Sequence, residues 1–360
     1  MSRPLDDEPV ARRRRGGGDG VTLQDVATAA GVTKMTVSNA LNGRRERLSE
    51  ATLARVLDAV DRLGYVRSAS ARSLSANRSN IVSVTYQPTA RTGAGSTLGQ
   101  HDALFLGELE LHVTRAGMYL MVHSTTDVQS TARSLRSWNV DGAIFLSTLG
   151  DEVEVLREAH DVPMVFVDNY GSSPSISSVR VDDFRGGYLA GERLVQAGHQ
   201  HIVFAGPAFS DTGVVRQRYL GFSRALEDHG IVHDPALVRV CQTEYDPALA
   251  LAGALVEELP EATAVFATAD DIAVGLVNGF QRAGRSVPGQ MSVIGFDDID
   301  LARVTTPEVT TVRQDIPAKA RAAAEMLLGQ LARGVERQVD RVTLDVTLVE
   351  RGSVGPPVQG

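Results

Sequence analysis

The sequence predicts an α/β protein in which a small all-helical unit precedes a larger domain of parallel sheets covered by helices. Two observations lead there. Residues 21–66 hold three short stretches with helical apolar spacing, each preceded by a capping residue. From Ile81 to Phe296, strand-like and helix-like stretches alternate, and the alternation runs twice in tandem. Repeated βα units build parallel sheets with helices on their faces, so two tandem runs predict two similar lobes.

The helical unit reads as follows. Thr22 is an N-cap with Asp25 three residues on, a capping-box arrangement. Leu23, Val26, Ala27 and Ala30 form one apolar face, and Gly31 closes the helix. Thr33 caps a second helix running to Leu41, with Val37, Ala40 and Leu41 facing inward. Ser49 caps a third, in which Leu53, Val56, Leu57, Val60 and Leu63 follow helical spacing up to Gly64. Residues 1–20 are charged, Gly-rich and aperiodic, a pattern expected of a disordered tail. Its Arg12–Arg15 run either touches phosphates or is simply solvated. Residues 67–79 are polar and Ser-rich, with Leu74 their one large apolar residue. They read as a linker that orders only when held.

Strands are expected at Ile81–Tyr86, Tyr119–His123, Gly142–Leu146 and Met164–Asp168. After the Pro/Ser-rich passage Tyr170–Ser178, four more are expected at His201–Ala205, Leu237–Cys241, Ala264–Ala267 and Ser292–Phe296. Intervening helices stop at Gly117, Gly198, Gly230 and Gly284. Open α/β sheets bind ligands beyond the carboxyl ends of their strands. Two facing lobes place that site in the cleft between them.

Composition narrows the function classes. At 360 residues the chain suits two or three domains. No apolar run approaches the length that spans a bilayer, so no membrane partner is expected. The arginine run is followed by glycines instead of the apolar stretch of a secretory signal. Cys241 is the only cysteine, which allows neither an internal disulfide nor a thiolate metal cluster. A cytoplasmic protein without cofactor or metal is the expectation. The formal net charge of −8 hides an asymmetry. Residues 1–78 hold 14 Arg or Lys against 9 Asp or Glu, a net of +5, which leaves −13 for residues 79–360. A basic arm on an acidic body points to nucleic acid.

The stretch VTLQDVATAAGVTKMTVSNALNG (Val21–Gly43) closely resembles the N-terminal helix-turn-helix of the lactose-repressor (LacI) family. Further stretches that resemble the family, each in its place along the chain, are GYVRSASARSL (Gly64–Leu74), ADDIAVG (Ala269–Gly275), SVIGFDDIDLA (Ser292–Ala302) and TPEVTTVRQD (Thr306–Asp315). The resemblance runs from Val21 to about Arg351. It implies a helix-turn-helix over residues 21–66, a hinge helix over 67–79 and a two-lobed sensor over 80–351, built like periplasmic sugar-binding proteins. A flexible tail, 352–360, follows. The Gly/Pro-rich end from Val349 carries no leucine heptads for a tetramerising coil. The resemblance implies a homodimer that binds a palindromic operator in double-stranded DNA and a small-molecule effector, expected to be a carbohydrate.

A recognition helix presents its early residues to the major groove. Here these are Thr33, Lys34, Met35, Thr36, Ser38 and Asn39. Lys34 and Met35 match family positions that vary with operator sequence. Lysine donates to guanine, and methionine offers apolar contact to a thymine methyl. Asn39 stands where many members carry arginine, and asparagine pairs best with adenine. Thr22, Thr36 and Asn42 read as phosphate or cap residues, with a cap alone the other reading of Thr22. Leu74 matches the hinge leucine that wedges between base pairs, and Ala71 lets paired hinge helices approach.

In the sensor, Asp168, Arg218 and Asp297 match the family's ligand-contacting positions. Acids beside an arginine suit polyhydroxyl ligands, because charged hydrogen bonds are the strong ones. Asp168 or Asp297 could instead cap the next element. Asp270 follows the family's ligand-binding asparagine position, which is Ala269 here. Tyr245 supplies an aromatic face, and Gln314 lies near an interlobe crossing. The loop Gln87–Gln100 reads as part of the cleft rim. Its Gly93, Gly95 and Gly99 lack the spacing of a dinucleotide fingerprint.

Three other readings compete. An enzyme would show an HExxH pair, a GxSxG elbow or a Walker loop, and the chain has none of these. A solute-binding protein without DNA function gives no reason for Val21–Leu74. An activator of the same architecture differs only in where its operator lies.

Overall fold

The structure is a computed structural model. It describes residues 21–66, 78–86, 98–124, 127–146, 150–171, 173, 175–334 and 339–357. The chain divides into two compact units, Met1–Asn77 and Arg78–Gly360. The expected tail over 1–20 and all but the last two residues of the expected hinge lie outside the described residues.

In the first unit the caps set the helix limits. Helix α1 (Leu23–Ala30) opens on the Thr22–Asp25 capping box and closes on Gly31 in the left-handed region. Helix α2 (Lys34–Leu41) opens on Thr33, whose hydroxyl accepts the Thr36 N–H at 3.2 Å. Helix α3 (Glu50–Leu63) runs from Ser49 to Gly64. Val26, Ala27, Val37, Val56 and Ala59 form the buried centre. Leu57 departs from the expected face, being 42% exposed. Successive helical residues turn by about 100°, which carries Leu57 past the inward arc of Val56, Ala59, Val60 and Leu63.

The second unit contains two six-stranded sheets. The first is ordered β11-β5-β4-β3-β1-β2, from β1 (Ile81–Tyr86), β2 (Tyr119–Ser124), β3 (Gly142–Leu146), β4 (Met164–Val167), β5 (Ser177–Val181) and β11 (Arg341–Leu344). The second repeats that order as β12-β10-β9-β8-β6-β7. Its strands are β6 (Ile202–Gly206), β7 (Val238–Val240), β8 (Ala264–Ala267), β9 (Ser292–Asp297), β10 (Thr310–Gln314) and β12 (Val346–Val349). All pairs are parallel except β10 with β12. Helices α4 (Gln100–Arg115), α5 (Val128–Trp138) and α6 (Gly150–Ala159) belong to the first lobe. Helices α7 (Asp183–Gln196), α8 (Val214–Asp228), α9 (Tyr245–Glu258) and α10 (Asp270–Arg282) belong to the second, and α11 (Ile316–Arg333) returns to the first. Among the described residues no helix is long and apolar enough to cross a membrane.

All eight expected strands form, and β5, β10, β11 and β12 join them. Strand β5 begins inside the Pro/Ser-rich passage. Its Ser177 is buried and takes a hydrogen bond from the Gln330 amide at 2.7 Å, so a polar residue fits an interior strand. The chain passes between the lobes at Asp182, at Asp315 and at Asp345. Asp182 and Asp315 also cap the following helices, accepting the N–H of Arg185 and Ala318. The Asp182 N–H donates to the Leu344 carbonyl at 2.9 Å and ties two crossings together.

The flexible tail expected from residue 352 is corrected as far as 357. Ser353 is fully buried. It accepts the Thr310 N–H at 2.8 Å and donates to the Val293 carbonyl at 2.6 Å. His199, also buried, bonds the Ser292 hydroxyl and the Gly355 carbonyl. The segment satisfies backbone groups of β9 and β10 that would otherwise lack partners, so it belongs to the second lobe.

Helix pairs in the second lobe meet at glycines. A Cβ on Gly187 would lie 2.0 Å from the Arg218 carbonyl oxygen, and one on Gly221 would lie 1.9 Å from that of Phe184. The backbone under Arg218 is thus seated against α7 with no room for a methyl group. Gly221→Ala is expected to cost about 1–3 kcal/mol, read as a lower urea midpoint. Gly253→Ala, in open space on α9, should be neutral or gain up to roughly 1 kcal/mol. Equal midpoints for the two variants would refute the close-approach account.

Candidate functional site

Two surfaces carry the expected chemistry, one in each unit. In the first unit, Thr33, Lys34, Met35 and Thr36 occupy the start of α2, with Ser38 and Asn39 one turn on. Lys34 is exposed, and Met35 is 69% exposed although apolar. Packing gives no account of a methionine held in water at a helix start. Ser38 accepts a hydrogen bond from the C-cap Asn42 at 3.1 Å. Thr22 is engaged in its cap, donating through both N–H and hydroxyl to Asp25. Those bonds hold the Asp25 carboxyl below the usual carboxylate range. Ala71 and Leu74 lie outside the described residues.

In the second unit, five of the six expected residues line one cavity of about 390 Å³ between the lobes, at the carboxyl ends of the strands. Asp168 follows β4 with φ 56°, and Asp297 ends β9 with φ 114°. Left-handed backbone costs a non-glycine residue on the order of 1 kcal/mol or more, and here it lies where both carboxylates line the cleft. Neither caps a helix. Arg218 comes from the second turn of α8, Tyr245 from the start of α9 and Gln314 from the end of β10. Leu98, Gly99 and Gln100 form part of the rim, and 87–97 lie outside the described residues.

Asp270 is a correction. It is fully buried and turned away from the cleft, accepting the Thr311 hydroxyl at 2.6 Å and the Ile299 N–H at 3.0 Å. Burial, with Asp297 nearby, pushes its carboxyl well above the usual range. Its neighbour Asp271 lines the cleft instead, because adjacent residues of α10 point in different directions. Asp270 fastens the start of α10 to β10 and to the segment after β9.

The cleft's cations are engaged by protein groups. Arg218 is 7% exposed. Its Nε donates to Asp183 Oδ1 at 2.8 Å, and it also donates to the Thr268 carbonyl. Its guanidinium lies 3.5 Å from the centre of the Phe296 ring. Burial works against its charge, and Asp183, Asp297 and Asp168 more than offset that. Asp183 also accepts the Tyr170 hydroxyl at 2.5 Å. Burial raises the Asp183 carboxyl despite Arg218, and burial with Asp183 raises the Tyr170 phenol. On the other side Lys319 Nζ meets Asp168 Oδ2 at 2.8 Å and Gln314 Oε1 at 2.7 Å, and Gln314 passes a bond to Asp297 Oδ1 at 2.6 Å. Asp168 Oδ1 and Thr268 Oγ1 are buried without a partner, and both residues line the cleft. Buried polar atoms are rarely left so. Ligand donors fit these two oxygens. Among the described residues no group of three or more His, Cys, Asp or Glu can hold a metal ion.

Sequence reasoning missed Lys319, Asp183, Tyr170, His101 and Thr268. Lys319 had a signal. It falls on the apolar face of α11 with Ile316, Ala320, Ala323 and Leu327, where a charge breaks the pattern. Asp270→Ala strands the Thr311 hydroxyl and the Ile299 N–H and should cost about 1–3 kcal/mol. Asp271→Ala, on the cleft side of the helix, should lower the urea midpoint less than Asp270→Ala. The reverse ranking would return Asp270 to the cleft.

Both units are similar to known proteins. Residues 22–68 match the model of bacterial regulatory proteins of the lacI family, and residues 191–354 match that of a periplasmic binding protein-like domain. The HTH-type transcriptional repressor PurR of Vibrio atlanticus is 33% identical over 86% of this chain and 92% of its own. The PurR repressor of Haemophilus influenzae is 30% identical over 92% and 98%. Among solved structures, the regulator CelR in complex with cellobiose is 26% identical. It covers 92% of this chain and 99% of its own, with a TM-score of 0.68. A lacI-family regulator of Enterococcus faecium with bound ribose is also 26% identical, over 76% and 99%, with a TM-score of 0.65. The lac repressor dimer on its operator shares the fold at 24% identity, over 94% and 100%, with a TM-score of 0.79. Capped helices, a polar cleft between twin lobes and relatives matched along nearly their whole length meet in one conclusion: the chain belongs to the lacI family of bacterial regulatory proteins.

Proposed function

We propose that the protein is a sequence-specific repressor of transcription whose hold on its operator is set by a small molecule, a carbohydrate or a derivative of one, bound between the lobes. The observation that carries this reading is a polar cavity of about 390 Å³ with two unpartnered oxygens, in a chain that also bears a capped helix-turn-helix. Relatives named as repressors, and structural relatives that hold cellobiose and ribose, support it. The protein acts in the cytoplasm, catalyses no reaction, and works as a homodimer on two half-sites of a palindrome.

Lys34, Met35 and Asn39 read base edges, with Thr33, Thr36 and Ser38 beside them. Thr22 and Asn42 set register on the phosphates. Residues 67–79 form the hinge, in which Leu74 wedges the minor groove and Ala71 allows close approach. Asp168, Arg218, Tyr245, Asp297 and Gln314 hold the effector. Its binding moves the lobes and, with them, the order of the hinge. Coupling of roughly 1–3 kcal/mol is the usual scale for allostery.

Selection of bound duplexes from a random pool, at a stated salt concentration, tests the reading. A recovered palindrome supports it, and folded protein that enriches no sequence, either alone or with small-molecule candidates added, contradicts it. On the selected operator, Leu74→Ala should weaken binding and reduce bending together, and an unchanged bend would remove the wedge. Arg218→Ala would strand the buried Asp183, so the paired change Arg218→Met with Asp183→Asn is the cleaner probe. It should abolish release or recruitment by effector while operator binding persists. A normal response in gel-shift titrations would place the effector elsewhere.

A further inference from the structure

Lys319 occupies a core position. It lies on the face of α11 that packs against α4 and the strands β3, β4 and β5, and it is 1% exposed. Burying an ammonium is costly unless its protons are matched. The match is complete: three N–H groups face Asp168 Oδ2 at 2.8 Å, Gln314 Oε1 at 2.7 Å and His101 Nε2 at 3.2 Å.

That arrangement fixes the neighbours. An ammonium only donates, so His101 Nε2 carries the lone pair. The His101 proton then sits on Nδ1 and is donated to Asp102 Oδ1 at 3.0 Å. Gln314 must turn its oxygen to Lys319, which leaves its amide N–H for Asp297 Oδ1 at 2.6 Å. Asp102, His101, Asp168 and Lys319 belong to the first lobe, whereas Gln314 and Asp297 end strands of the second. The chain of bonds therefore passes from lobe to lobe beside the Asp315 crossing. The two carboxylates that it holds, Asp168 and Asp297, both line the cleft.

We propose that Lys319 is a positioning residue of the effector cleft, holding Asp168 directly and Asp297 through Gln314, so that a ligand's donors at one lobe are felt at the other. This rests on the effector reading of the cleft given above. The ligand meets Asp168 Oδ1 and leaves Lys319 covered. Hydrogen bonds in such a chain polarise one another, which is how contact at one carboxylate reaches the next.

The sequence supplies its own probe, because Lys34 and Lys319 are the only lysines. Full-length protein made with lysine labelled with ¹⁵N at Nζ carries two labelled ammonium groups. Lys34 is exposed, and its protons should exchange with water too fast to be seen near neutral pH. The Lys319 signal should persist. Asp297→Asn alters an atom two bonds along the chain from Lys319 without touching it. The relay predicts a shifted Lys319 resonance and proton exchange several-fold faster. Gln314→Leu should make the resonance insensitive to Asp297→Asn. An isolated Lys319–Asp168 pair would respond to Asp168→Asn alone. A Lys319 resonance unmoved by Asp297→Asn overturns the proposal, as does wild-type exchange at Lys319 as fast as at Lys34. Should circular dichroism show Asp297→Asn unfolded, Asp297→Glu and the wild-type exchange rate decide on the same criteria. Operator selection is read separately, so loss of the DNA reading and loss of the relay are distinguishable.

Discussion

A buried cation needs oppositely charged or hydrogen-bonding partners, and the cleft floor holds two. Arg218 answers this with Asp183 and the Thr268 carbonyl, and Lys319 with Asp168, Gln314 and His101. The partners of Lys319 come from both lobes; those of Arg218 lie in the second, and Asp183 reaches the first through the Tyr170 hydroxyl after β4. Asp183 stands at the first crossing and Gln314 at the second. The hydrogen-bonding demand of Lys319 thus ties the lobes together where the chain crosses between them. Left-handed backbone at Asp168 and Asp297 is tolerated there because these carboxylates are held in place by Lys319 and Gln314. A cleft built in this way is polar and already hydrogen-bonded. Two unpartnered oxygens, on Asp168 and Thr268, remain for an incoming molecule.

The helical unit was legible almost residue by residue, because caps are local. Thr22, Thr33, Ser49, Gly31 and Gly64 each act through atoms within a few positions of themselves. Leu57 escaped because spacing marks a face without saying how wide the buried arc is. The repeated βα pattern gave the two lobes and eight of the strands. The remaining four are set by distant partners. Strand β5 needs Gln330 to satisfy Ser177, and β11 and β12 exist only as additions to sheets begun long before them. Ser353 likewise looks like tail until the open backbone of β9 and β10 is seen beside it.

The cleft was partly legible. Asp168, Arg218 and Asp297 were named because they match positions marked by the family resemblance, and Gln314 by its nearness to an interlobe crossing; with Tyr245 they line the cleft, at the strand ends where this fold puts ligands. Asp270 was misplaced because a single step along a helix separates the cleft wall from the core, and sequence alone does not fix that rotation. Asp183 and Lys319 were missed because each is defined by a partner many residues away.

The last strands bear on how the molecule is made. The first lobe starts at β1, yet its sheet is finished only by β11, and its core includes α11, both encoded after most of the second lobe. During synthesis the early segment, which ends at Val181, must therefore wait, with part of its apolar surface uncovered, until the chain from α7 to β10 has emerged and α11 and β11 follow. The second lobe is nearly self-contained and lacks only β12 and the segment around Ser353. Its completion and that of the first lobe fall within a few residues of each other. Stitching both lobes from one C-terminal ribbon makes the sensor an all-or-nothing product of translation. A nascent chain cut short before Arg341 has neither lobe complete and has no finished cleft with which to regulate DNA.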